Sequence, residues 1–429
     1  MKRALTFTAG LAALAIATPA TAQDIAITNA TVATGDGSEP VEGATVLVRD
    51  GKVVAAGTGV TVPAGVQVLD GSGAWVTPGL FATMTTLGLW DVGAVSESND
   101  TRPREADFSA ALDVAPAINP ASQHIAIHRA AGITRAASMI LPAGEIFGGQ
   151  GAIIDLGADG QAVVRPRAFQ TVALGEYGAR IAGGSRAATY VALRNALFEA
   201  RAYANGTWDG ADAQLPRADA EALGAVISGR QPLMVAVERA SDIRTVLELK
   251  REFSSLDLVL VGASEGWMVA REIAAAGVPV IADGLDDLPQ NFEELGSTQS
   301  NVGRMVKAGV KVAINASAME NPRNLNQYAG NLVALTRIPG ADGLSWGQAF
   351  AAISSVPASI SGMSGRAGVL APGAMGDLVI WDGDPLEVGS MPVKVFIDGI
   401  EQPLDNHQSR LKDRYRDLDE SDLPKAYDW

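Results

Sequence analysis

The sequence predicts an α/β protein whose long middle region is a parallel sheet covered by helices and whose two ends are rich in strands. Between about residues 76 and 366, short apolar runs alternate with stretches of helical periodicity, whereas residues 23–75 and 367–403 contain short strands joined by turns. The length of the middle region suits a (β/α)8 barrel. Periodicity alone predicts a doubly wound sheet equally well.

The chain begins with the features of a secretory signal peptide over residues 1–22. Lys2 and Arg3 precede a mostly apolar stretch, residues 4–17, and Ala20-Thr21-Ala22 fits a small-residue cleavage site. The apolar stretch is too short for a transmembrane helix, which needs roughly 20 residues, and no later stretch qualifies. We therefore expect a periplasmic or secreted protein without a membrane span.

The strand-rich ends are predicted to form one small β domain. The run 44–48 ends at Arg49-Asp50-Gly51-Lys52, a strong hairpin turn, and residues 53–56 supply the returning strand. A matching pattern returns near the other end of the chain, at residues 374–381 and 393–400. Two such ends around a long middle region predict a domain composed of residues 23–75 plus 367–403.

The middle region, residues 76–366, is assigned from two kinds of segment. Short apolar runs are typical of buried strands, and longer runs with a 3.6-residue period are typical of helices. The predicted strands are residues 133–141, 150–156, 232–237, 256–261, 278–282 and 310–314. The predicted helices are residues 187–204 and 241–253 and a stretch ending at residue 276. A polar tail, residues 404–429, is predicted to end in a surface helix.

Composition restricts the possible partners. The formal net charge is −15, and loss of the two basic residues in the signal peptide would lower it to −17. A protein this acidic is not expected to bind nucleic acid. The chain has no cysteine, which excludes disulfides, thiolate metal sites and cysteine-based catalysis.

Two segments carry a resemblance to a known family. Residues 76–88 read Val-Thr-Pro-Gly-Leu-Phe-Ala-Thr-Met-Thr-Thr-Leu-Gly. They resemble the first barrel strand of the amidohydrolase superfamily, where Pro-Gly-Leu-Ile-Asp-x-His-x-His carries two metal-binding histidines. Residues 368–386, which include Ala-Pro-Gly-Ala-Met-Gly-Asp-Leu-Val-Ile-Trp, resemble the closing segment of the imidazolonepropionase-like branch. The resemblance covers nearly the whole mature chain and implies a (β/α)8 barrel joined to a composite β-sandwich domain.

The resemblance also implies a metal centre whose ligands are missing here. Family members hold zinc or another divalent metal through histidines on the first, fifth and sixth strands and an aspartate on the eighth. The bound metal lowers the pKa of a water molecule and polarises the scissile carbonyl. In this chain the corresponding positions hold Met84, Thr86, Ala236 or Glu238, Gly262 and, near the aspartate position, Ser317. We expect Met84, Thr86, Ala236, Gly262, Asn315 and Ser317 to line the pocket. We therefore predict no metal cofactor.

The chain contains only three histidines, and none is expected to bind a metal. His124 and His128 are four residues apart and would share one face of a helix, an arrangement that can bind metal. They lie in a predicted surface helix that leads into a strand, whereas barrel chemistry lies at the carboxyl ends of strands. His407 belongs to the polar tail.

Three carboxylates near the carboxyl ends of predicted strands are the candidates for catalysis: Glu238, Glu265 and Asp283. Two of them could perform acid–base chemistry if burial raised one pKa. The alternative is that they are ordinary polar residues of a pocket mouth, or that one forms a salt bridge with Arg239. The glycines of residues 148–151 lack the pattern of a phosphate-binding loop and are predicted to form a tight turn.

Three functions remain open from the sequence. By resemblance the protein is a hydrolase of non-peptide C–N bonds that has lost the usual metal centre. It could instead be a non-catalytic partner subunit of an active paralogue, in a homo-oligomer or hetero-oligomer. The third hypothesis is a periplasmic protein that binds a small molecule.

Overall fold

The computed structural model describes residues 22–315 and 322–416. Five strands come first: β1 (Ile25–Val32), β2 (Val41–Arg49), β3 (Lys52–Gly57), β4 (Gln67–Asp70) and β5 (Trp75–Pro78). Eight strands follow: β6 (Leu80–Thr85), β7 (Ile133–Ser138), β8 (Phe147–Asp155), β9 (Val163–Ala173), β10 (Leu233–Val237), β11 (Leu258–Gly262), β12 (Val280–Asp283) and β13 (Val312–Asn315). The last three strands are β14 (Leu378–Trp381), β15 (Pro392–Ile397) and β16 (Ile400–Glu401).

Helices lie mainly between the strands of the second group. They are α1 (Gln123–Ala130), α2 (Gly175–Ile181), α3 (Arg186–Ala204), α4 (Arg217–Ile227), α5 (Ala240–Glu252), α6 (Ala270–Ala276), α7 (Asn301–Lys307), α8 (Leu325–Ala334), α9 (Trp346–Ala351), α10 (Ser355–Ile360) and α11 (His407–Arg414). Within the described part of the chain, no helix is both long and apolar enough to cross a membrane. Residues 1–21 of the expected signal peptide and the tail from residue 417 lie outside the described residues.

The two chain ends form one sheet with the order β16-β15-β14-β5-β1-β2-β3, and β4 pairs with β1. The joint between the ends is the antiparallel pair of β14 and β5, where the buried Trp381 Nε1 donates to Thr77 Oγ1 at 2.9 Å. Val53 of β3 and Phe396 of β15 contribute to the same apolar core, so the sheet folds over itself. The predicted composite β domain is confirmed, although its strands are hydrogen-bonded as a single sheet.

The middle region forms a barrel with the strand order β6 through β13. Seven of the strands are parallel, and β8 runs antiparallel to both β7 and β9. Residues 352 and 353 close the gap between the first and last strands. Ile314 N donates to Ala352 O at 2.9 Å, and Phe81 N donates to Ile353 O at 3.0 Å. The barrel prediction is confirmed, and the doubly wound alternative is wrong.

The alternation of side chains along the strands builds layers inside the barrel. Phe169, Met234, Val259, Ile281 and Ala313 belong to one interior apolar cluster and form the lower layer. Residues two positions further along the same strands point inward as well, one layer closer to the carboxyl ends. This upper layer contains Thr171, Ala236, Val261, Asp283 and Asn315.

Two local predictions differ from the structure. The glycines of residues 148–151 lie inside β8 and not in a tight turn. Gly151 faces Phe169 across the β8–β9 pair, where a Cβ atom would come within 2.1 Å of the Phe169 ring. Glycine is required at position 151 because the ring packs directly on the backbone. The helix predicted around His124 and His128 exists as α1, but His128 is buried and not on the surface.

Candidate functional site

A cavity of about 370 Å³ lies at the carboxyl ends of the barrel strands. The upper layer of the barrel provides its floor through Thr171, Ala236, Val261 and Asn315, and Met84 adds to the floor from β6. The wall includes Glu238, which directly follows β10. Of the residues expected to line the pocket, Met84, Ala236 and Asn315 do so.

Met84 has a strained backbone. Its φ is 51°, a left-handed conformation that costs about 1–2 kcal/mol for a residue with a Cβ atom. Ala263, which directly follows β11, is also left-handed, with φ of 52°. Strained backbone of this kind persists where the surrounding fold enforces it and is concentrated at ligand sites. Both residues lie at carboxyl ends of barrel strands, where the cavity opens.

Glu238 is a carboxyl group without a cationic partner among the described residues. Its Oε2 accepts hydrogen bonds from Ser264 N at 2.9 Å and from Ser264 Oγ at 2.7 Å. Loss of hydration on burial raises the pKa of Glu238 to about 7, although both hydrogen bonds act in the opposite direction. The neighbouring Arg239 pairs with Asp242 instead, at 2.9 Å, so the expected alternative of a salt bridge to Arg239 is wrong.

The Glu238 side chain occupies the space above Gly262. A Cβ atom on Gly262 would lie 1.9 Å from Glu238 Oε1, and Gly262 itself has φ of +87°. Gly262 is the position where the resemblance implies a metal-binding histidine. A histidine side chain there would have to displace Glu238, so this pair of residues excludes the family's ligand at the sixth strand.

Asp283 ends β12 and belongs to the inward-facing upper layer. It pairs with Asn315 across the β12–β13 ladder, next to the cavity floor. Its Oδ1 is buried and has no hydrogen-bond partner among the described residues. Burial raises the pKa of Asp283 well above its usual value, and the negative charges of Asp286, Glu238 and Glu294 raise it further.

The loop of residues 284–300, between β12 and α7, adds further carboxylates to the cavity wall. Glu293 and Glu294 both line the cavity. Glu293 Oε2 accepts from Glu176 N at 2.7 Å and from an Arg186 guanidinium nitrogen at 3.0 Å. Sequence analysis missed these two residues because they follow no predicted strand. The run of acidic residues after β12 was the available signal.

The remaining candidates lie elsewhere. The carboxylate of Glu265 accepts from Ala240 N at 2.9 Å, at the first turn of α5, and from Gly296 N at 3.1 Å. Glu265 therefore ties a helix to the loop and does not line the cavity. Thr86 is buried and its Oγ1 accepts from Trp90 Nε1 at 3.0 Å, away from the cavity. Ser317 lies outside the described residues.

The histidines also lie outside the cavity. The His124 ring packs on Trp90 with centroids 3.8 Å apart, and His128 Nδ1 hydrogen-bonds with His124 O at 2.7 Å. The pair thus lies beside the loop that follows β6. His407 is the first residue of α11 and is exposed.

The side chains at the barrel mouth do not fit the divalent metal that the fold implies. Where the resemblance implies histidine ligands, Met84, Thr86, Ala236 and Gly262 offer a thioether, a hydroxyl, a methyl group and a hydrogen atom respectively. In residues 22–315 and 322–416, no three His, Cys, Asp or Glu side chains are grouped so that they could hold a metal ion. Zinc sites in proteins need three or four such ligands.

The fold and the cavity define a barrel protein with a ligand site at the carboxyl ends of its strands and a composite sheet domain beside it. Residues 234–400 match the amidohydrolase family model. Over 186 residues, 42% of the chain, the sequence is 29% identical to amidohydrolase tasK from Hapsidospora irregularis. The matched part spans 18% of the length of that relative.

Two solved structures show how far the fold extends. An amidohydrolase from Thermotoga maritima superposes with a TM-score of 0.77 and 24% identity, covering 88% of this chain and 99% of the other. A molinate hydrolase superposes with a TM-score of 0.54 and 17% identity, covering 90% and 95%. The family model thus matches the carboxyl-terminal part of the chain, and the two solved structures share its fold. The more specific resemblance to the imidazolonepropionase-like branch stays a prediction.

Proposed function

We propose that this protein is an exported, metal-free member of the superfamily that binds a small molecule in the barrel cavity without metal-dependent hydrolysis. The observation that carries the proposal is the contact between Glu238 and Gly262. The acidic side chain fills the space that a metal-binding histidine would need. The cavity itself is retained, with an apolar floor and a few polar groups, which is typical of a small-molecule site.

Hydrolysis of a C–N bond needs an activated water molecule, because free water has a pKa of about 15.7. In family members a metal performs this activation. Glu238 is the group best suited to act as a base here, because burial raises its pKa to about 7. Its Oε2, however, is held by both donors of Ser264. This arrangement supports binding more than turnover.

Export is part of the proposal and is supported by the sequence of residues 1–22, whose basic start, apolar stretch and Ala20-Thr21-Ala22 pattern are those of a signal peptide. N-terminal sequencing of the periplasmic fraction tests it. A chain that begins at residue 23 is the expected result. A full-length chain in the cytoplasmic fraction would contradict it.

The metal content of the mature protein tests the absence of the metal centre. The protein is purified from cells grown with added zinc and manganese, and its metals are measured by mass spectrometry. We expect less than about a tenth of a metal per chain, because the barrel mouth lacks the ligands of a metal site. A true site would be detected, because binding of a structural metal is strong. About one metal per chain, together with hydrolysis of amide or cyclic amidine substrates, would overturn the proposal.

A partner subunit is the second candidate, and one observation favours it. Leu288, Phe292 and Leu295 are 75%, 83% and 67% exposed on the loop that borders the cavity. Three large apolar side chains so exposed are typical of an interaction surface. Sedimentation of the purified protein alone, and mixed with a histidine-bearing paralogue, tests this function. A monomer in both experiments would contradict it.

A further inference from the structure

The cavity combines an apolar floor with an excess of negative charge. Met84, Ala236 and Val261 supply apolar surface, while Glu238, Glu293 and Glu294 stand in the wall. Glu293 is compensated by Arg186. Arg102 is the one basic residue among those that line the cavity, and its side chain is exposed.

Beside the cavity floor lies a buried polar atom that has no hydrogen-bond partner among the described residues. Asp283 Oδ1 is buried and accepts no hydrogen bond from any described residue, and Asp283 pairs with Asn315, which lines the cavity. A buried acceptor without a donor is costly, by about 1–3 kcal/mol for a polar group and more for a charged one. A ligand that donates a hydrogen bond would remove this cost.

The carboxylates of the described residues are not grouped for a metal ion, so a larger cation is the alternative. No three of them in the described residues are grouped tightly enough to coordinate one ion. Glu238 and Asp283 nevertheless lie close enough that the charge of Glu238 disfavours ionisation of Asp283. An ammonium group carries up to three donors around one positive centre and can contact two carboxylates at hydrogen-bond distance.

We propose that the cavity binds an organic cation, a protonated amine on a compact apolar body, with the ammonium group between Glu238 and Asp283 and the apolar body on the floor at Met84, Ala236 and Val261. The inference rests on the proposed small-molecule function and names its ligand class. A cavity of about 370 Å³ is at the small end of ligand sites, which limits the apolar body to about the size of one ring.

Calorimetric titration of the mature protein with three probes of one shape tests the inference: benzylamine, benzyl alcohol and benzoate. At about pH 8, above the pKa of Glu238, we expect benzylamine to bind at least about tenfold more tightly than benzyl alcohol, because its hydrogen bonds are charge-assisted. Benzoate should give no detectable heat.

Three variants test where the ammonium group lies. Glu238→Gln and Asp283→Asn should each weaken benzylamine binding by about tenfold or more while leaving benzyl alcohol unchanged. Glu272→Gln is the matched control, because Glu272 is exposed and pairs with Arg244 on the outer helices. Circular dichroism confirms that each variant is folded. Equal benzylamine affinities in Glu238→Gln and Glu272→Gln would overturn the proposal.

The affinity for benzylamine should also fall at about pH 5.5, where the amine stays protonated but the carboxyl group of Glu238 becomes neutral. Asp286, Glu293 and Glu294 are the other acidic groups facing this site, and Arg102 is the basic one. An affinity that does not change with pH would contradict the inference.

The remaining outcomes separate this inference from the proposed function. If benzyl alcohol or benzoate binds as tightly as benzylamine, the cavity binds small molecules but does not select a cation. If none of the three probes binds, both the inference and the small-molecule function are wrong. If the protein contains about one metal per chain, the proposed function fails whatever the probes do.

Discussion

At the scale of single residues, the contact between Glu238 and Gly262 makes a sharp prediction. We expect Gly262→Ala to lower the free energy of unfolding by about 2–4 kcal/mol, because the new methyl group meets a carboxylate oxygen and the backbone is left-handed. Urea denaturation measures the change. Gly309→Ala is the matched control, because Gly309 has φ of +92° and open space around it.

The control should lose only the backbone component, about 1–2 kcal/mol. The double variant Glu238→Ala with Gly262→Ala should recover part of the loss, because the methyl group then has room. Equal losses at Gly262 and Gly309 would show that the Glu238 carboxylate does not occupy this space.

The raised pKa of Glu238 predicts a particular dependence of stability on pH. Its pKa rises from 4.5 to about 7 on folding, so between these values the folded protein binds more protons than the unfolded chain. The stabilising contribution is therefore complete below about pH 4.5 and is lost as the pH rises through 7, at no more than about 1.4 kcal/mol per pH unit.

The measurement is the difference in unfolding free energy between wild type and Glu238→Gln at several pH values. This difference should fall from about pH 4.5 to about pH 7 and change little above about pH 8. A difference that rises with pH would mean that Glu238 is ionised and paired in the folded protein.

At the scale of secondary-structure elements, β8 carries the most specific expectation. Gly151→Ala should cost about 1–3 kcal/mol in unfolding free energy, because its Cβ atom would lie 2.1 Å from the Phe169 ring across the strand pair. Gly389→Ala, at a glycine with open space, should change stability by less than about 0.5 kcal/mol. Thermal denaturation of both variants makes the comparison, and a neutral effect of Gly151→Ala would contradict the packing.

The same strand shows what the sequence could and could not predict. The hydrophobic pattern located α3 and β10 within a few residues. A helix buried on one face has apolar residues with a 3.6-residue period, and a strand buried on both faces is a short apolar run. Periodicity contains no information on strand direction, so the antiparallel course of β8 was not foreseen. Its glycines indicated a turn because a glycine run is typical of turns. At Gly151, however, glycine is required by the Phe169 ring on the neighbouring strand.

The candidate site, like the fold, could be predicted from the sequence only in part. That Met84 and Thr86 stand where the family has two histidines could be read from the sequence, because the resemblance of residues 76–88 fixes those two positions. The position of the Glu238 carboxylate over Gly262 depends on two strands being adjacent in the barrel, which local sequence does not state. The contribution of Glu293 was missed for the same reason, because its contacts with Glu176 and Arg186 join segments that are more than 100 residues apart.

At the scale of the whole molecule, Arg135 joins the barrel to the composite sheet domain. Its guanidinium group, 2% exposed on β7, bonds to Asp377 at 2.7 Å just before β14 and to Asp398 at 2.7 Å between β15 and β16. Asp155 of β8 lies 3.8 Å away and completes the cluster. The two sheets therefore share one buried cation, and their stabilities should be coupled.

We expect Asp377→Asn to lower the unfolding free energy by about 3–5 kcal/mol, because it removes the buried partner of a buried charge. Asp398→Asn is the internal control: Asp398 is 51% exposed, so its loss should cost less than about 1 kcal/mol. Tryptophan fluorescence, which reports in part on Trp381 of the sheet domain, is compared with circular dichroism. Coincident transitions in wild type are expected if the cluster makes the two sheets unfold together, and separate transitions should appear in Asp377→Asn. Separate transitions already in wild type would show that the arginine cluster holds the sheets in contact without coupling their stability.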